Sequence, residues 1–170
     1  MALIVEDGTG IAGANTYADL TDIRAYASDR GVTLSTDDVA LEADVHKAMD
    51  HLEGLRARYQ GWKTVATNAL QFPRESVKID CVALANDAIP VELINAECQL
   101  VIEQHNGVDL APTRTEAFII EDTTGPLTTK YSDKHGGGPG SVPDMITVDN
   151  LLAPLFSTCG QSRALRTIRV

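Results

Sequence analysis

The chain has 170 residues, 44% of them apolar but only 5% aromatic, and a formal charge of −10. That length suits one domain with a core of Leu, Val, Ile and Ala plus extensions, and no run approaches the roughly 18 apolar residues of a membrane span. A body this acidic repels phosphate backbones, which argues against general nucleic-acid binding.

Residues 1–15, rich in glycine and small side chains and without a period, read as an N-terminal arm. The opening MALIVEDGTG lacks the basic stretch and apolar run of a signal peptide. A first helix is expected after Asn15 or Thr16, with Thr16 and Asp19 as its capping pair. Leu20, Ile23 and Ala27 mark one face, and Gly31 is its stop. The second helix is the clearest element. Ser35 to Asp38 supplies caps and N-terminal acids. Leu41, Val45, Ala48, Leu52 and Leu55 then follow as one apolar stripe, with an end expected near 59–61.

The stretch NALQFPRESV, 68–77, comes next. Pro73 has no amide hydrogen and disfavours helix at Phe72, so the chain must break there. Connectors are ordinarily polar, yet this one carries Leu70 and Phe72, with Trp62 upstream. At most a short helix over 64–70 is expected, then an extended crossing. Pro90 restarts a helix at a position where its missing N–H costs little. Leu93, Ile94, Ala96, Leu100, Val101 and His105 spread apolar surface widely around it, the pattern of a central buried helix that Asn106-Gly107 ends.

Beyond Pro112 threonine and aliphatic residues predict two strands, 116–122 and 126–132, turning at Gly125-Pro126. KHGGGPGSVP is a flexible loop. A last helix is marked by Val148, Leu151, Leu152 and Leu155, with Pro154 inside it to kink or shorten it. The tail QSRALRTIRV carries Arg163, Arg166 and Arg169 and no acid, and it alternates well enough to add as an edge strand to a neighbour. The expected organisation is therefore an arm at 1–15, a helical core at 16–112, a β ribbon with a Gly-rich loop at 113–146, a C-terminal helix at 147–160 and a basic tail at 161–170. The fold class is mainly α: a bundle of about four helices with a protruding two-strand β ribbon and extended terminal arms.

Nothing persuades as catalysis, and no catalytic, cofactor or metal site is expected. GGGPGS lacks the following Lys-Ser/Thr and the preceding strand of a phosphate loop. His46 and His51 sit five apart on one helix and face different ways. Cys98 and His105 have no further ligand to complete a tetrahedral site. Cys81, Cys98 and Cys159 are odd in number and unclustered, which fits a reducing compartment and no disulfide framework. A nucleic-acid site would need a basic groove with stacking aromatics. The best local case is Arg56, Arg58, Tyr59, Trp62 and Lys63, where the expectation is that Tyr59 and Trp62 pack onto the helices while the basic side chains reach water.

A helix ending in an aromatic-Gly-Trp-Lys segment, then NALQFPRESV, then AIPVELINAECQLV, resembles the head–tail connector (adaptor, or head-completion) proteins of tailed bacteriophages. The matching residues are Leu70, Phe72, Pro73 and Arg74, then Ile89, Pro90 and Ala96-Glu97, with VDNLLAPLF resembling the family's closing segment. Phe72 stands where tryptophan is more usual, and Asn68 where glutamine is. The resemblance covers most of residues 15–157. It implies a structural virion protein of the neck, assembled in the host cytoplasm, forming a homo-oligomeric ring, a dodecamer, below the portal. Its implied partners are other copies of itself, the portal protein, a tail-side neck or tail-terminator protein and genomic DNA passing through the lumen, with no membrane. On that reading Trp62, Phe72, Pro73 and Arg74 fix the crossover, with Arg74 facing an acid nearby or across a subunit seam. Together with Arg163, Arg166 and Arg169 they are the candidate inter-subunit or portal contacts. Some relatives carry a DnaT-like single-stranded DNA-binding label. A single-stranded DNA-binding accessory protein is accordingly the alternative, against which the charge weighs.

Overall fold

The computed structural model describes residues 2–111 and 145–157, with the backbone of 121–124 and 127–130. Four helices carry the core: α1 (Leu20–Ser28), α2 (Asp38–Gly54), α3 (Val91–His105) and α4 (Ile146–Phe156). Antiparallel pairs of short strands accompany them: β1 (Trp62–Lys63) with β2 (Arg74–Glu75), β3 (Lys78–Ile79) with β4 (Val82–Ala83), and β5 (Glu121–Thr124) with β6 (Leu127–Lys130). The fold is mainly α with a small β ribbon, as the periodicities predict. The ribbon runs in register from Glu121 opposite Lys130 to Thr124 opposite Leu127. No helix among the described residues is long and apolar enough to cross a membrane.

Helix α3 is the axis of the fold and packs against α1, α2 and α4. Its buried residues Leu93, Ala96, Leu100 and Val101 meet the α2 stripe of Leu41, Val45, Ala48 and Leu52, with Leu152 and Leu155 of α4 closing the far side. Pro154 is tolerated because it lies in the last turn of α4, where only one helical bond is lost. Helix α2 stops at Gly54, earlier than the apolar stripe suggests. The chain there tightens into short-range turns, Leu55 N to Leu52 O, Arg56 N to Glu53 O and Arg58 N to Leu55 O, which unwind the helix before Tyr59.

Helix α1 starts at Leu20, capped by Asp19, whose carboxylate accepts from Asp22 N at 2.8 Å. Thr16 is not the cap; its hydroxyl is engaged elsewhere. Residues 2–18 close on themselves. Glu6 N donates to Thr16 O at 2.9 Å and Asn15 N to Ile4 O at 2.9 Å, while the buried Glu6 carboxylate accepts from the amides of Gly8, Gly10 and Ile11. This segment, read as a free arm, is held to the body.

Of the at most short helix expected over 64–70, none forms. Residues 55–90 are an irregular crossover stitched by the β1–β2 and β3–β4 pairs. Cys81 lies exposed in the β3–β4 turn and is disulfide-bonded, its partner outside the described residues. Cys98 is buried and free. The tail with Arg163, Arg166 and Arg169 lies outside the described residues.

Candidate functional site

The crossover is built outward from Phe72, which has no exposed surface. Tyr59 meets its ring edge-on at 5.3 Å and 87°, and Phe156 meets Tyr59 at 5.3 Å. The Tyr59 hydroxyl donates to Leu52 O at 3.1 Å. Phe72 N donates to the Tyr17 hydroxyl and Gln71 N to the Glu53 carboxylate. The backbone of this apolar break is therefore satisfied by side chains from two other elements, which is what a buried connector requires. The Phe72–Pro73 bond is cis.

Arg74 is the second anchor. Its guanidinium is buried and donates to Gln60 O at 2.7 Å, Gly61 O at 2.7 Å and Gln71 Oε1 at 3.1 Å. It also lies 5.9 Å from the Tyr59 ring and 6.0 Å from the Phe72 ring. No carboxylate bonds it among the described residues, although the charge of Glu53 acts on it; two carbonyls and an amide take its hydrogen bonds. Gln60 extends the fastening: its amide nitrogen, with two hydrogens, lies within hydrogen-bond reach of Lys78 O, Pro154 O and Ser157 O, and its amide oxygen accepts from Lys78 N. Gly61 has a φ of +62°, and a Cβ there would lie 1.8 Å from Glu75 O, so only glycine fits.

This clamp presents Trp62. Cross-strand partners in an antiparallel pair share a face, and successive residues alternate. Arg74 pairs with Lys63 and turns inward, so Trp62 and its partner Glu75 turn outward. Trp62 is 59% exposed, and its indole N–H reaches the Glu75 carboxylate at 3.2 Å. Of the two aromatics expected to pack on the helices, Tyr59 does and Trp62 does not. The sequence from Arg56 to Lys63 holds three cations and no acid. Arg56 and Arg58 are exposed, and neither forms an ion pair among the described residues. Arg58 stacks its guanidinium 4.2 Å above the Phe156 ring. Lys63 Nζ donates to Asn68 O at 3.0 Å. Burial, with Glu53 nearby, keeps the Tyr59 hydroxyl protonated well beyond neutral pH. The arrangement is a rigidly held, outward-facing indole beside a short cationic stretch. It can stack on a planar ring and attract phosphate.

Of the candidate contact residues among those described, Phe72, Pro73 and Arg74 close the protein's own core and Trp62 reaches solvent. Gln60 and Glu53 escaped notice because a polar residue that fastens backbone carbonyls or amides leaves no spacing signal. A cavity of about 450 Å³ lies elsewhere, between the C-terminal halves of α2 and α3, lined by Lys47, Asp50, His51, Leu55, Gln104 and Leu110. Burial lowers the affinity of His51 for its proton. No group of three or more metal-ligating side chains occurs among the described residues.

The model of one protein family, described as "Putative DnaT-like ssDNA binding protein", matches residues 1–170. No curated protein and no solved structure matches the chain. The family match overturns the head–tail connector, adaptor and portal-binding reading. The short motifs that suggested it have an internal explanation: Phe72, Pro73 and Arg74 pin the crossover to its own monomer. The chain belongs to the family described as "Putative DnaT-like ssDNA binding protein".

Proposed function

We propose that this protein binds single-stranded DNA, without catalysis, by stacking an unpaired base on Trp62 while Arg56 and Arg58 neutralise neighbouring phosphates. The observation that carries the reading is the exposure of Trp62, 59% in a protein whose other described tyrosines and phenylalanines are buried or half-buried. Base–aromatic stacking contributes about 1–3 kcal/mol per base and tolerates any sequence. Duplex bases are already stacked and offer no free face, so the site favours single strands. Net charge counts less than it does in the sequence-level argument. Repulsion from distant acids is screened over about 10 Å at 0.1 M salt; Arg56 and Arg58 lie on the same short stretch as the indole, and Glu75 is the acid bonded to it.

Fluorescence anisotropy of a labelled oligothymidylate tests this. Trp62→Ala should weaken binding by about 5- to 150-fold, the range set by losing one stack, and Trp62→Phe should keep part of the affinity. With about two phosphates neutralised, log Kd should rise with log salt at a slope of about 1.4. Equal binding by Trp62→Ala and the parent protein, or equal affinity for duplex, would reject the site.

A further inference from the structure

Glu97 lies in the middle of α3 with no exposed surface. Its Oε1 stands 2.5 Å from Thr16 Oγ1, and its Oε2 accepts from Tyr17 N at 3.0 Å. The same Thr16 hydroxyl is 2.7 Å from Ala18 O, and Ala18 N approaches it at 3.3 Å. A hydroxyl has one hydrogen and two acceptor sites. Ala18 O, a carbonyl, can only accept, so the Thr16 hydrogen goes there. Its lone pairs then take Ala18 N and one further donor. The remaining neighbour is Glu97 Oε1, and a carboxylate has nothing to donate. The count closes only when Glu97 holds the hydrogen.

We propose that the Glu97 carboxyl is protonated in the folded protein and donates to Thr16 Oγ1, so that one buried proton latches the segment leading into α1 onto α3. The carbonyl oxygen of the neutral acid still accepts from Tyr17 N, and every polar atom at the joint has a partner.

The surroundings agree. Burial is the largest influence on the Glu97 carboxyl and pushes it up to about 7, against the pull of the donors close to it. The titratable groups on neighbouring elements are committed elsewhere. Tyr17 donates to Glu53 of α2, and Tyr59 and Arg74 of the crossover act on Tyr17. On α1, Asp22 and Arg30 act on the adjacent Cys98, and Tyr26 couples to Arg30 and Cys98. Asp149 of α4 acts on His51. None of these supplies a cation to hold an ionised Glu97. Because the folded value lies above the unfolded one of about 4.3, the latch contributes fully below that value. Its contribution is lost as pH rises to about 7 and is constant beyond. Tyr17, next in the chain, bonds both Glu53 and Phe72 N, so the latch stands one residue from the crossover.

Glu97→Gln tests the proposal, since an amide can donate to Thr16 Oγ1 and accept from Tyr17 N at any pH. Urea unfolding from pH 4.5 to 8.5 should show the parent's unfolding constant rising relative to the variant's, by up to about tenfold per pH unit until near pH 7. At pH 8 the variant should be the more stable. A variant with the parent's pH profile, or one less stable than the parent at pH 8, would overturn the latch. If the variant does not fold, infrared spectra of the folded parent decide. A protonated-carboxyl band present at pH 6 and gone by pH 8.5 is expected, and its absence at pH 6 overturns the proposal.

Discussion

Phe72→Ala should destabilise the protein by about 3–5 kcal/mol, the range for removing a fully buried aromatic side chain. The ring sits where the crossover meets the helices, touching Tyr59 edge-on and lying beneath the Arg74 guanidinium. Its loss leaves a cavity that the surrounding backbone cannot readily fill, because that backbone is held by Tyr17 and Glu53 from other elements. Against a typical domain stability of about 5–15 kcal/mol the loss is large. Urea denaturation should show it as a lowered midpoint with little change in slope. Phe72→Leu, which retains most of the volume, should cost well under half as much. A Phe72→Ala midpoint equal to the parent's would mean that the crossover does not depend on this ring.

Arg74→Ala should cost about 3 kcal/mol for a different reason. Removing the guanidinium strands Gln60 O, a buried acceptor worth about 1–3 kcal/mol when left unpaired, and loosens the part-buried Gly61 O and the Gln71 amide. Relief of the desolvation of a buried cation offsets part of the loss. Arg74→Lys should recover little, since an ammonium on a single stem cannot reproduce the planar fork that spans both carbonyls and the Gln71 amide. Both carbonyls immediately precede Trp62, so amide hydrogen exchange at 61–63 should rise in both variants by more than in a helix such as α3. Exchange at 61–63 unchanged in Arg74→Ala would show that the indole is held by something else. Arg74 and Phe72 are in contact, so their effects should not add.

How far the sequence reached depends on which force shaped each element. The α2 stripe and the apolar band of α3 are periodic because burial selects one face, and both helices stand where that period puts them. Gly31, Pro90 and Asn106-Gly107 mark boundaries because their backbone chemistry is local. The crossover was marked as a break by Pro73, but its internal order was not readable. It rests on single long-range bonds, Arg74 to Gln60 O and Gln60 to Pro154 O, between residues with no fixed spacing. The outward turn of Trp62 follows from its register opposite Glu75, a two-residue pairing too short to leave an alternating pattern. Glu97 could have been found. It lies four residues after Leu93 and three before Leu100, on the apolar stripe itself, and an acid there demands a buried partner. Total charge averages over a surface, whereas the stacking and phosphate contact proposed for Trp62 and its neighbouring arginines act at one short stretch.

Trp62 is the only tryptophan in the chain, so its intrinsic fluorescence reports on the proposed site without a label or a variant. Titration with oligothymidylate at low salt should quench that fluorescence to a saturating limit, and added salt should restore it. Emission that stays constant while the oligonucleotide is shown by another signal to bind would place the DNA elsewhere. No binding at all at low salt would contradict the account at its centre.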